Sequence, residues 1–324
     1  MFREQKALPK TLQEAIQYFS DEDRCIEFVA ALRWPDGKAP CGSCGDKENT
    51  YYLANQKRWK CRSCKKQFSV KSNTIFEESP LPLNKWVAAV WLLAGAKNGI
   101  SSYEVHRALG ITQKSAWFMM HRIRLALQGG TFEKIGGEGE TVEVDETYIG
   151  GLARNMHKSK RSNKVLTGGA GKQAVFGLLE RHPVKRKSKV RAHVIPEAWK
   201  NNALTIIRET VEKGSNVYSD EHGTYSLLNP DDFQHAFVRH AEYYVDGAVH
   251  TSGIENFWAL LKRMIKGTYV SVEPFHMFRY LDEEAFRFNE REGDDADRFL
   301  AAMSGIVGKR VTYKKLTGKE EPLS

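Results

Sequence analysis

Four of the five cysteines fall into two short pairs, Cys41-Gly-Ser-Cys44 and Cys61-Arg-Ser-Cys64, with sixteen residues between the pairs. Two such pairs in tight turns can place four thiolates at the corners of a tetrahedron, the arrangement zinc takes from sulfur ligands. Two disulfides would use the same spacing, but disulfides seldom persist in a reducing compartment. The N-terminus (MFREQKALPK) carries no apolar export signal, and the longest apolar run, Trp86 to Ala96, has eleven residues, too short to cross a bilayer. The expectation is a cytoplasmic chain with a structural Zn2+ on Cys41, Cys44, Cys61 and Cys64, and no membrane partner.

A length of 324 residues suggests about two domains, and the patterning supports several segments. Residues 1–35 read as N-terminal helices: an acidic turn after Ser20 leads into an apolar face of Ile26, Phe28, Val29 and Leu32. Cys25 falls on that helix as a small buried side chain. Residues 36–72 form a zinc ribbon, since TYYLANQKRWKC between the cysteine pairs alternates like a short hairpin. Residues 73–130 are helical. Asn84 to Lys97 is one helix, and two more flank Gly110, with Ser102 and Thr112 as their caps. This resembles a helix-turn-helix whose second helix offers Gln113, Lys114 and Trp117 to DNA; a plain helical hairpin fits the same pattern.

After the linker GGTFEKIGGEGE the pattern turns strand-like: TVEVDETYIGG, QAVFGLLER and KVRAHVIP, a helix from about Glu197 to Lys213, then NVYSDEHGT and a helical region from Ser252. That order gives an α/β domain with a mixed sheet over about 138–292, leaving 293–324 as a C-terminal tail. The net charge of +9 is concentrated between Arg154 and Arg191, where twelve Lys/Arg face one acid, Glu180. Such a stretch suits phosphate backbones, or is a solvated loop. Within it, GGAGK at 168–172 lacks the first glycine and the Ser/Thr of a phosphate loop and reads as a flexible basic loop.

Three carboxylates stand where metal-dependent phosphoryl transfer would need them. Asp145 is expected at the end of the first strand, sharing a face with Glu143, and Asp220 at the end of NVYSD; Glu255 lies early in the helix after His250. Two Mg2+ or Mn2+ ions held by such acids can activate a water or hydroxyl and neutralise the leaving oxygen. Each acid also has a structural explanation. Asp145 could be a turn residue, with Glu146 an alternative ligand; Asp220 could open a turn; Ser252-x-x-Glu255 could be a capping box. Lys262 and Lys266 follow Glu255 along one helical stripe and could meet DNA phosphates or simply solvent.

Taken together, RWPDG, CGSCG…CRSCKKQFSV, TIFEESPLPLNKW, VEVDETYIGG, YSDEHGTY and HTSGIENFWALLKRMIKGTY resemble bacterial insertion-sequence transposases of the IS fifteen-ninety-five type (ISXO-like), over about residues 18–290. The resemblance implies a zinc ribbon followed by a ribonuclease-H-like DDE domain. It implies cleavage of transposon ends and transfer of the freed 3′-hydroxyl to target DNA, with DNA as partner and a homo-oligomer when ends are paired. It also implies a nucleoid-associated location. Asp145 and Asp220 match the first two acids; Glu255 is favoured for the third, with Asn256 next and His250 also present. Lys262 sits at the spacing common after a catalytic Glu. Two other functions fit parts of the chain: a regulator using only the ribbon and the helix-turn-helix, and a nuclease of the same fold without strand transfer.

Overall fold

The computed structural model describes residues 8–129, 133–150, 172–181, 188–195, 199–220, 225–238 and 249–319. They divide into two compact units, residues 1–129 with 290–324, and residues 130–289. The first unit begins with helices α1 (Leu12–Tyr18) and α2 (Glu22–Arg33). Thr11 caps α1 in a capping box with Glu14, and Asp21 caps α2 by accepting from the Asp23 N–H. Cys25 is fully buried and donates to the Phe19 carbonyl; burial pushes its thiol up to about 12, which makes it unreactive.

Strands β1 (Thr50–Leu53), β2 (Arg58–Cys61) and β3 (Gln67–Phe68) form an antiparallel sheet in that order. Trp59 packs edge-on against Trp34 and stacks with Phe68, the nearest thing to a core this small sheet has. Helices α3 (Leu83–Gly95), α4 (Ser102–Leu109) and α5 (Gln113–Leu127) follow. Ser101, not Ser102, caps α4, because only the Ser101 hydroxyl lies three residues before Glu104, which reaches back to complete a capping box. Thr112 caps α5 as expected, and Gly110 supplies the left-handed turn between them at φ +57°.

The second unit holds β4 (Thr141–Ile149), β5 (Gln173–Arg181), β6 (Lys189–Ile195), α6 (Trp199–Thr210), β7 (Asn216–Asp220), β8 (Gln234–Val238), α7 (Ser252–Met264) and α8 (Met277–Asn289). The sheet runs β6-β5-β4-β7-β8; β6, β5 and β4 are antiparallel, whereas β4, β7 and β8 are parallel. It is a mixed sheet with helices on both faces. Val142, Val144, Phe176, Leu178 and Val217 pack against α6 through Ala203 and Ile207. Val175, Leu179 and Val190 pack against α7 and α8 through Ile254, Phe257, Leu261 and Leu281. Burial on both faces is why QAVFGLLER reads as an unbroken apolar run rather than an alternation.

The sequence reading missed β8. Its five residues, QHAFV, form an edge strand with only one neighbour, so half-buried positions leave no strong pattern. The basic stretch 154–191 lies largely outside the described residues, as does most of 168–172; what is described of it forms β5 and the start of β6.

Of the expected tail 293–324, the described residues up to 319 do not behave as one. They add α9 (Asp295–Ser304) and α10 (Tyr313–Leu316) to the first unit. Phe299 is 1% exposed, stacks on Phe28 at 5.7 Å and meets Phe19 and Trp91. Phe299, Ala302 and Met303 are the i, i+3, i+4 stripe that drives α9 into this core. No helix among the described residues is long and apolar enough to cross a membrane.

Candidate functional site

The cysteine centre follows from two matching turns. The sulfurs of Cys41 and Cys64 lie 3.5 Å apart, those of Cys44 and Cys61 3.7 Å, and all four fall within 4.8 Å of one another. Zinc bonded to sulfurs at about 2.3 Å in a tetrahedron separates them by about 3.8 Å, whereas a disulfide needs about 2.05 Å. The donor set therefore fits zinc. Gly45 and Lys65, each following the second cysteine of its pair, take left-handed φ values of +76° and +62°. Within each turn, ahead of these residues, backbone N–H groups face the sulfur of the first cysteine. Those of Ser43 and then Cys44 bring Cys41 down to about 7, and those of Cys64 and Ser63 also lower Cys61. Asp46 links the two turns by accepting from the Ser63 hydroxyl and from Asn49, bonds that hold its carboxyl at about 2.

The acidic site lies on the sheet face covered by α7. Strand β4 pairs with β7 in parallel at a constant offset of 75, Val142 with Val217 and Glu143 with Tyr218. The same offset carries Asp145 to Asp220. Equivalent positions on parallel neighbours share a face, with strands about 4.8 Å apart. Asp220 does end β7, but Asp145 does not end β4. It is the fifth of nine residues and remains paired with Gly177 of β5, because only the β7 side of the ladder stops before it. Asp145 therefore sits inside the fold, beside a ladder that has opened. Burial first, then the charges of Asp220 and Glu146, push its carboxyl up to about 7. Glu146 belongs to the opposite face, where the Tyr225 hydroxyl donates to it at 2.5 Å.

Helix α7 supplies the remaining groups. The indole N–H of Trp258 donates to Asp145 at 2.9 Å, fixing the helix above the acids. Glu255 and Lys262 precede and follow Trp258 by about one turn, within about 20° of each other around the axis. Asn256 points about 160° away from Trp258 by the same geometry. The capping-box reading of Ser252 and Glu255 fails. Thr251 is the N-cap residue, with no side-chain cap bond, and its hydroxyl instead donates to the Glu255 carboxylate at 2.8 Å. His250 is engaged elsewhere: the Arg181 guanidinium donates to its Nδ1 at 2.7 Å. Lys266 leaves the α7 stripe, because a π-helical turn, Ile265–Tyr269, resets the rotation after Met264. Among the described residues only the four cysteines bring three or more metal-ligating atoms within 4.8 Å, so Asp145, Asp220 and Glu255 do not converge that tightly.

At the other end of the chain, Gln113 donates to the Ser102 hydroxyl at 2.9 Å, and the Lys114 ammonium stands 4.7 Å from the Tyr313 ring centre. Trp117 packs with Phe118, Leu125, Val311 and Leu316. Of these three candidates Lys114 is exposed, while Trp117 is half-buried by the C-terminal segment.

Sequence reasoning missed Trp258 and Gly177. A Cβ on Gly177 would lie 2.6 Å from the Trp258 ring and 2.8 Å from Ile254, so glycine opposite Asp145 is what lets α7 reach the sheet. The signal was present as a lone glycine inside an apolar strand, a mark of close approach.

Two measurements check this geometry. Cys61→Ser should lower bound zinc below one ion per chain by atomic absorption; a stoichiometry that stays at one would show the ligand set to be wrong. Asp145 favours the native state while protonated, an advantage complete below about pH 4 and gone once pH passes 7. In metal-free protein Asp145→Asn should therefore raise Tm over the parent at pH 8, with the difference shrinking toward pH 5. A difference independent of pH would contradict the burial and crowding of this acid.

The profile of the ISXO2-like transposase domain matches residues 136–289, and that of a transposase zinc-ribbon domain matches residues 20–67. The chain is 27% identical over 263 residues to a protein of Halobacterium salinarum named "Uncharacterized protein in transposable element ISH50", covering 77% of this chain and 85% of that one. It is 33% identical over 106 residues to an "Uncharacterized transposase-like protein" of Haemophilus influenzae, covering 33% of this chain and 85% of that one. The chain belongs to the ISXO2-like family of insertion-sequence transposases, with a structural zinc ribbon ahead of its transposase domain.

Proposed function

We propose that this transposase cuts the ends of an insertion sequence and joins the freed 3′-hydroxyl to target DNA, through two Mg2+ or Mn2+ ions held by Asp145, Asp220 and Glu255. The sheet order, with three antiparallel strands continuing into parallel ones and helices on both faces, supports a ribonuclease-H-like domain. One observation carries the reading: Asp145 and Asp220 each lie two residues beyond the last paired position of the parallel strands β4 and β7, on one face, under a helix bonded to Asp145. Burial and the nearby Asp220 carboxylate oppose the ionisation of Asp145, and hard cations relieve that opposition. Bound there, the ions would lower the pKa of an attacking water or hydroxyl and neutralise the leaving oxygen.

The residues of the chain do the rest. Trp258 orients one Asp145 oxygen, leaving the other side of the carboxylate for a ligand. Glu255 joins the acids by a rotamer change that releases the Thr251 hydroxyl. Lys262, on the same flank of α7, meets a phosphate of the scissile strand. Asn256 faces away, His250 is occupied by Arg181 and Glu146 lies across the sheet, which favours Glu255 among the alternatives. Gln113, Lys114, Trp117 and Lys266 remain the DNA-contact candidates, with Lys114 and Lys266 exposed for phosphate contact. We place the protein in the cytoplasm at the nucleoid, working as a homo-oligomer that holds two DNA ends.

The test is a Mn2+-dependent cleavage and joining assay on DNA carrying the element's ends. The parent should give nicked ends and joined donor–target products. Asp145→Ala and Asp220→Ala should lose both by on the order of 100-fold or more; Glu255→Gln should do the same, and Asn256→Ala should not. Hydrolysis without joined products would make the protein a nuclease, and end binding without cleavage would make it a regulator.

A further inference from the structure

Two residues before Asp145, on the same face of β4, lies a second carboxylate that has no place in the chemistry above. Glu143 is 1% exposed. One of its oxygens accepts from Arg181 Nε at 2.5 Å, and the other accepts from the backbone N–H of Ile254 at 2.8 Å. Arg181 spans from there to His250, donating to its carbonyl as well as to Nδ1, and its guanidinium lies 5.2 Å from the Tyr218 ring. A Cβ on Gly253 would stand 3.0 Å from both Glu143 oxygens, so glycine at that position is what allows the first turn of α7 to seat on the carboxylate.

An ion pair buried this deeply rarely stabilises a fold over well-packed apolar residues, because desolvation offsets the attraction. What it does give is a fixed geometry. Ile254 N–H is one of the donors a helix leaves unsatisfied at its start, and a carboxylate there is also favoured by the helix dipole. No side chain of the N-cap residue satisfies that end of α7. Glu143 does so from the strand instead. The bond joins β4 to α7 at Ile254, immediately before Glu255, while Trp258 joins the same two elements one turn later at Asp145.

We propose that Glu143 is a positioning residue for the transposase site: clamped by Arg181, it seats the first turn of α7 and thereby fixes the backbone from which Glu255 could turn toward ions on Asp145 and Asp220. The inference rests on the reading of those three acids as the metal-holding set. Glu143 touches neither ion nor DNA in this arrangement.

The experiment compares full-length variants by three measurements: Tm, Mn2+ affinity by electron paramagnetic resonance without DNA, and the Mn2+ concentration for half-maximal end cleavage. Glu143→Leu combined with Arg181→Leu removes both buried charges and the acceptor. It should keep a Tm no lower than that of Glu143→Gln, in which Arg181 loses its ion-pair partner, yet weaken Mn2+ binding, and raise the Mn2+ requirement, by about tenfold or more, the usual loss when a group supporting a ligand is removed. Glu143→Gln keeps an oxygen for Ile254 and should lose much less on both Mn2+ measures, even at a lower Tm. Gly253→Ala changes no charge and should weaken Mn2+ binding through the displaced turn alone. Parental Mn2+ affinity in the double variant or in Gly253→Ala would overturn the proposal, as would losses that simply follow Tm across the series. Asp145→Asn run in parallel separates the two readings: cleavage surviving in Asp145→Asn would overturn the metal-site reading itself, whatever Glu143 does.

Discussion

The transposase domain depends on how closely one helix can approach one sheet. Helix α7 lies over β4 and β5 at a place where β5 has no side chain, and the Trp258 indole fills the space a Cβ on Gly177 would take. Glycine there costs chain entropy and strand stability. In return, a large aromatic ring reaches the strand behind it and donates to the buried Asp145 carboxylate. The apolar surface of Ile254, Phe257 and Leu261 supplies the driving force, and the two polar bonds, from Trp258 and Ile254, set the register.

The electrostatics of this face divide along the strand. At Glu143 a buried negative charge is matched by Arg181 and a helix N-terminus, so the position is satisfied within the protein. One pleat further on, at Asp145, the charge is buried beside two other carboxylates, which outweigh the neutral donors Trp258 and the Glu146 N–H, so its ionisation is resisted. Two carboxylates on the same face thus serve two ends. The first carboxylate holds architecture, and the second is left in a condition that a cation would relieve.

Much of this was legible in the sequence, and the parts that were not have physical reasons. The zinc centre could be read outright, because four thiolates in two tight turns leave few other arrangements. The strands β4, β5, β6 and β7 and the helices α3, α5 and α7 declared themselves by period, and α5 also by its Thr112 cap. The position of Asp145 within β4 was misjudged, since VEVDETYIGG looks as if it ends at its acids, while the ladder to β5 carries it on to Ile149. The role of 293–324 was missed because a stripe of three apolar residues in α9 shows a buried face without saying what it packs against. Likewise Glu143 was seen to share a face with Asp145, but its partner Arg181 lies 38 residues on, and its bond to Ile254 lies 111 residues on. Long-range pairing of that kind leaves no local pattern.

The central claim is that Asp145, Asp220 and Glu255 converge on divalent ions above β4 and β7. It is tested most directly by crystals of the protein bound to its end DNA and grown with Mn2+, measured for anomalous scattering at the manganese edge. The account predicts peaks between Asp145 and Asp220, with Glu255 turned off Thr251 as a ligand and Asn256 away from them. Peaks ligated by Glu146, or by Asn256 in place of Glu255, or no peak at Asp145 in a crystal that cleaves its DNA, would contradict it.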